Sequence, residues 1–232
     1  FQGNRDDVDP AIVGCVDLSD KESLNKEFQA GKELNNENGI LKSGWQGLNR
    51  LTQGGFRRGE TIVCAALQHN FKTGFTLSLF KQFALYNKPY MIDPTKKPLM
   101  LHISFENSLG LNMPFLYKNV FENKTGMQAD INGQTPEQMS DYVINELGCN
   151  GYNIRFIHVN PSKWSYIDIC NYVSALEAEG FEIHVLMIDY LNMIPKTGCD
   201  NTGPQGSAVR DLFRRMRNFC SEKEITLVTS HQ

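Results

Sequence analysis

The 232 residues contain no C-x-x-C pair and no cysteine with a histidine at metal-ligand spacing. The six cysteines (Cys15, Cys64, Cys149, Cys170, Cys199 and Cys220) lie scattered. That argues against a zinc module and points to reduced thiols in a cytosolic compartment. No apolar run approaches the roughly 18–20 residues that cross a bilayer, and no signal peptide is visible, so the reading is cytoplasmic, with no membrane partner. An excess of basic residues is missing too. Lys and Arg number 23 against 26 Asp and Glu, a net charge of −3. This speaks against a basic nucleic-acid coat protein, although a few local cations suffice to hold a strand in a groove. Internal repeats and low-complexity tracts are absent as well, which excludes solenoid arrays.

What is present is an apolar fraction of 41% with 21% charged residues, enough for one large α/β domain, alone or with a short appendage. Phe1-Gln2-Gly3 reads as the remnant of a cleaved tag. Residues 4–39 are polar and acid-rich and read as a linker or arm. Within it, Leu18–Leu24 supports one short helix with Ser19 or Asp20 as N-cap. The character changes near residue 40. Trp45, Leu48 and Leu51 recur at helical spacing until Gly54-Gly55 stops them.

From there strands and helices alternate. Strand-like runs fall at 61–66, 98–104, 153–159, 182–188 and 225–230. Helical stretches fall at 72–86 (with Phe75, Leu79 and Phe83 on one face), 109–121, 136–147, 165–179 and 207–222. Five apolar runs separated by helices predict a mainly parallel sheet with helices on both faces. Ligands in such sheets collect at the carboxyl ends of the strands.

Four segments deliver polar residues to that edge. The first is Ala66-Leu67-Gln68-His69-Asn70-Phe71-Lys72-Thr73, which leaves a strand and opens a helix. A phosphate-binding loop needs that setting, because backbone N–H groups and a helix N-terminus face the anion. Lys72 would supply a mobile charge and Thr73 a hydroxyl for Mg²⁺. The glycine expected before the lysine is Phe71, so the strict pattern G-x-x-x-x-G-K-[ST] is not met. An ordinary helix start is the alternative, and His69 suits either the nucleotide or solvent. The second segment is the apolar strand His184–Ile188, ending in Asp189, which either holds Mg²⁺ or caps the next turn. The third, Leu101–Asn107, carries Glu106, either a residue that activates water or a surface acid. The last strand ends in Thr229-Ser230-His231-Gln232, a polar tip near the same edge.

Taken together, residues 40–232 resemble the C-terminal ATPase domain of DnaB-family replicative helicases. The lead-in Gly44-Trp45-Gln46-Gly47-Leu48-Asn49-Arg50-Leu51-Thr52-Gln53-Gly54 is similar to the family's G-x-x-x-L-(D/N)-x-x-T-x-G. Ala66 also fits, since family members often carry alanine there. Ile103-Ser104-Phe105-Glu106 is similar to the F-S-L-E segment. Ile188-Asp189-Tyr190-Leu191-Asn192-Met193 is similar to I-D-Y-L-Q-L-M. Thr229-Ser230-His231-Gln232 resembles the A-L-S-Q end.

The resemblance implies a RecA-like P-loop NTPase fold with ATP and Mg²⁺ as cofactors. It also implies a ring homo-oligomer, a hexamer in the family, moving on single-stranded DNA, with primase or a helicase loader as further partners. It makes Glu106 and Lys72 catalytic, and Gln232 the phosphate sensor; a relative ending in S-H would place His231 in that role instead. The divergent loop points to a viral (phage) branch. The chain ends before the segment that carries the family's arginine finger.

A Gly/Pro-rich loop at 195–206 falls where such motors grip DNA, making Lys196 and Arg210 candidate contacts; a plain surface loop is the alternative. Arg210, Arg214 and Arg217 share a helix face, beside Arg215, and suit phosphate, a neighbouring subunit or solvent. Trp164 and Tyr166 suit a stacked base or the core. Two rival readings stand beside the helicase: a RecA-type recombinase on the same core, and a catalytically silent DNA- or loader-binding module.

Overall fold

A computed structural model describes residues 15–34, 36–67 and 70–231. Gln68, His69 and Gln232, which carry expectations above, lie outside the described residues. Five apolar runs form the strands β1 (Thr61–Ala65), β2 (Lys97–Ser104), β3 (Asn153–His158), β4 (Phe181–Asp189) and β5 (Thr226–His231). All pair in parallel, in the order β1-β5-β4-β2-β3. A parallel sheet is covered on both faces, so its central strands read as unbroken apolar runs rather than alternating ones. In β4 that burial is divided by side-chain parity. Val185 and Met187 join a core with Phe80, Phe83 and Leu116, while Leu186 and Ile188 join a second core with Ile169, Val173 and Leu212.

The helices that supply those cores are α3 (Lys72–Tyr86), α4 (Leu109–Thr125) and α5 (Pro136–Leu147) on the first face, with α6 (Tyr166–Ala178) and α7 (Ser207–Glu222) on the second. The α/β class and both-face covering are as the sequence predicts. Helix α4 runs past Phe121 and closes at Gly126, whose φ of 68° is the left-handed geometry a helix end favours and whose N–H bonds to Glu122 O. Phe75 departs from the expected common face: Leu79 and Phe83 are buried, but Phe75 is 41% exposed and stacks on Trp45 at 5.4 Å.

The chain divides into two units, Phe1–Glu37 and Asn38–Gln232. In the first, the helix is longer than the Leu18–Leu24 expectation. It is α1 (Lys21–Leu34), 14 residues long, and Asp20 Oδ1 accepts from Glu22 N at its start. Lys, Glu, Gln, Leu and Ala make up most of this stretch, and their helix propensity extends it. In the second unit, α2 (Gln46–Leu51) follows Trp45. Trp45 and Leu48 pack on the first core, while Leu51 is exposed.

A buried charge network ties the amino-terminal side of the sheet. Arg58 Nη1 donates to Glu182 Oε1 at 2.7 Å, and His184 Nε2 lies 3.2 Å from the same oxygen. The backbone N–H groups of Ile92 and Asp93 donate to the two Glu182 oxygens. With its acceptors filled this way the carboxylate survives burial. Among the described residues no helix is long and apolar enough to cross a membrane.

Candidate nucleotide site at the carboxyl edge of the sheet

Strand β1 stops at Ala65, and α3 begins at Lys72 with Phe71 as its N-cap residue. Phe71 sits at φ 51°, ψ 29°. That is the left-handed region, where a glycine meets no Cβ clash and any other residue costs about 1–2 kcal/mol. The phenylalanine thus occupies the backbone geometry a P-loop glycine would hold, and its ring is 85% exposed. Lys72 turns back over the loop, its Nζ donating to Leu67 O at 2.9 Å and Ala66 O at 3.3 Å. Phe71, Lys72, Thr73 and Gly74 at the start of α3 line a cleft, and a helix N-terminus with a cation beside it suits an anion.

Asp189 ends β4 and is 1% exposed. Ser230 Oγ, on β5, donates to its Oδ1 at 3.2 Å. Burial raises the carboxyl's pKa, and the Thr73 hydroxyl, Ser230 and the Lys72 charge oppose that rise. Since β5 lies between β1 and β4, Thr73 and Lys72 meet Asp189 across the end of β5. Asp189 Oδ2 is buried without a hydrogen bond among the described residues. A buried carboxylate oxygen left free, beside a hydroxyl, is an oxygen donor set that fits a hard divalent cation.

Glu106 reaches the same rim from β2. Phe105 N donates to Asp189 O at 2.9 Å, extending the pairing with β4 by one residue. A tight turn follows, in which Ser104 Oγ donates to Asn107 O and accepts from Asn107 N. The turn leaves Glu106 exposed, close enough to Tyr190 to help raise that phenol's pKa, after burial. Lys72, Thr73, Glu106, Asn107, Asn112 and Phe115 line a common cleft of about 430 Å³.

The structure thus brings Asn70, Phe71, Lys72, Thr73, Glu106 and Asp189 to one edge. The other candidates stand elsewhere. His231 packs edge-on against Phe213 of α7, with Nδ1 buried and unbonded among the described residues. Lys196 Nζ donates to Asn192 O. Arg210 is exposed, whereas Arg214 and Arg215 both pair with Asp211. Arg215 also donates to Tyr166 Oη and lies over its ring. Trp164 packs beside Tyr172 against the second core. None of these lines the cleft.

Three contributors escaped sequence reasoning. Ser230 was legible only as part of a polar strand tip. Asn112, 2% exposed with Nδ2 unpartnered among the described residues, and Phe115 lie on α4, whose periodicity marks a helix but not which face meets the cleft.

The sequence profile of a family described as "Divergent DnaB-like ATPase" matches residues 1–232. No curated protein matches the sequence. Among solved structures, the chain is similar to one described as an "ATPase Domain", at 18% identity and a TM-score of 0.61, over 92% of this chain and 71% of that one. It is also similar to "A DnaB-Like Replicative Helicase" described with its primase interactions, at 18% identity and a TM-score of 0.59. That match spans 92% of this chain but only 48% of the helicase, about half its length. At such identity the likeness concerns the fold.

Proposed function

The chain belongs to the divergent DnaB-like ATPase family, and on that footing we propose that it is the motor domain of an ATP-dependent DNA helicase. The observation that supports the reading is the approach of Thr73 and Lys72 to Asp189 across β5, with Glu106 on the same cleft. Lys72 and the α3 N-terminus bind the β- and γ-phosphates. Thr73 and Asp189 hold Mg²⁺, which when bound neutralises charge on the phosphate oxygens. Glu106 orients the attacking water and takes its proton. Gln232, which follows His231 in the sequence, senses the γ-phosphate. Hydrolysis drives translocation on single-stranded DNA by a ring of subunits, hexameric as in the family, with Lys196 and Arg210 on the DNA side. Primase or a helicase loader would engage the assembled ring.

One observation favours a second reading, a nucleotide-silent module. Lys72 is engaged by the loop's own carbonyls, and a bulky Phe71 stands where glycine is expected. Calorimetric titration with ATP and Mg²⁺ separates the two. The motor reading expects saturable binding that Lys72→Ala weakens by about tenfold or more, since a charge-assisted contact is lost. Absence of saturable binding by wild type would leave the silent module standing, and equal affinities in the two proteins would sink the active phosphate loop.

A further inference from the structure

A second cleft, of about 690 Å³, adjoins the first and is lined from the end of β1, the start of α3, Trp45 and Phe115. Its walls are aromatic: Trp45, Phe71, Phe75 and Phe115, with Cys64 and Ser78 among the few other side chains. It shares Asn70, Phe71, Lys72, Gly74 and Phe115 with the cleft that holds Glu106, so the two adjoin. The volume is in the range of small-molecule sites. Phe75 and Phe115 are 41% and 37% exposed, a large apolar area for water to cover.

Gly74 keeps the passage between the clefts open. It lies inside helix α3, where glycine is less stable than alanine by about 0.5–1 kcal/mol. A Cβ there would stand 3.2 Å from Phe115 Cζ and 3.8 Å from Phe71 Cδ1. Any side chain at this position would press on the two rings at the junction.

We propose that this aromatic cleft is the nucleobase subsite of the nucleotide whose phosphates lie at Lys72 and Thr73, the base stacking against Phe75 and Phe115. The inference rests on the phosphate-site reading above. A triphosphate anchored at the α3 N-terminus has its nucleoside end directed away from Asp189, and this cleft is the adjoining space with π-faces to receive it. Stacking is tolerant of base identity because every base presents a π-face, and few groups here offer base-edge hydrogen bonds. The site therefore accepts purine and pyrimidine nucleotides alike, purines first by stacking area.

The test compares ATP with inorganic tripolyphosphate, each with Mg²⁺, by calorimetry on wild type and on Phe75→Ala, Phe115→Ala and Phe115→Tyr. Phe75→Ala should weaken ATP by about tenfold or more and leave tripolyphosphate affinity unchanged, since Phe75 lines only the aromatic cleft; Phe115→Ala, at the junction of the two clefts, should weaken ATP more than tripolyphosphate. Phe115→Tyr, which retains the ring, should retain ATP affinity, and this holds the argument even if an alanine variant folds poorly. In a Trp164→Phe background Trp45 is the sole tryptophan, and its emission should respond to ATP but not to tripolyphosphate. ATP, GTP, CTP and UTP should bind wild type within about tenfold of one another. If the alanine variants weaken both ligands equally, or neither, the base lies elsewhere while the phosphate site stands. If neither ligand binds wild type, the phosphate site is itself refuted, and the subsite with it.

Discussion

Ser230, near the end of β5, donates a hydrogen bond of 3.2 Å to Asp189 Oδ1 at the end of β4. The bond uses one carboxylate oxygen and leaves Oδ2 free. Thr73 approaches the same carboxylate from α3. One acid is thus oriented by one strand and shared with the phosphate loop. The different roles proposed for Asp189 and Glu106 rest on this difference in setting, since Glu106 is exposed on a turn.

Glu106→Gln should bind ATP as wild type does and hydrolyse it about 10²–10⁴-fold more slowly, because a proton acceptor acts in the transition state and not in the ground state. Asp189→Asn should lose Mg²⁺-linked affinity as well as turnover. Binding and single-turnover hydrolysis, measured on the same preparations, distinguish the two patterns. Normal turnover by Glu106→Gln removes that residue from the mechanism.

Asp189 should also destabilise the nucleotide-free fold. Burial raises its pKa, so the folded state holds the proton to higher pH than the unfolded chain does. Stability is then lost as pH rises from the ordinary carboxyl value near 3.8 through the raised one. Asp189→Asn should melt above wild type at pH 7 without nucleotide, and the gap should close as pH falls toward that ordinary value. A gap independent of pH would mean the charge is not its source.

Replacing Phe71 with glycine relieves a left-handed residue of about 1–2 kcal/mol and costs about 0.5–1 kcal/mol in chain entropy. The exposed ring gives up little packing. Urea unfolding of Phe71→Gly should therefore show stability unchanged or raised by about 1 kcal/mol. A loss of that size instead would show that the ring contributes packing that its exposure hides.

At the opposite end of the sheet, Glu182→Ala should destabilise by about 3–5 kcal/mol, leaving the buried Arg58 guanidinium unpaired. Burial opposes ionisation of Glu182, but Arg58 and the N–H groups of Asp93 and Ile92 outweigh it and hold its pKa below the ordinary value. Its contribution is therefore present above the ordinary carboxyl range and lost as pH falls through the lowered pKa. His184 stays neutral throughout the neutral range, its pKa pushed down to about 3 by burial and by Arg58. Thermal melts of wild type and Glu182→Ala across acid pH check this; curves that stay parallel would exclude the linkage.

The element pattern was legible because secondary structure depends on local periodicity. Lys72–Tyr86, Pro136–Leu147 and Ser207–Glu222 form helices over the spans their spacing predicts. The unbroken apolar run of β4 announced a strand buried on both faces, and with it the placement of Asp189 at the carboxyl edge. Likewise the strand-to-helix setting of Lys72 and Thr73 needed no tertiary information. Strand order did. That β5 inserts between β1 and β4 depends on contacts between residues far apart in the chain, which no window of sequence encodes. Only that order brings Ser230 to Asp189 and lets Thr73 reach across. The left-handed backbone at Phe71 was hidden too, because a phenylalanine does not advertise the geometry a glycine would. Finally, spacing made α4 a helix, but its packing against α3 decided that Asn112 and Phe115 face the cleft. A helix's periodicity tells which residues share a face, and only its neighbours decide what that face meets.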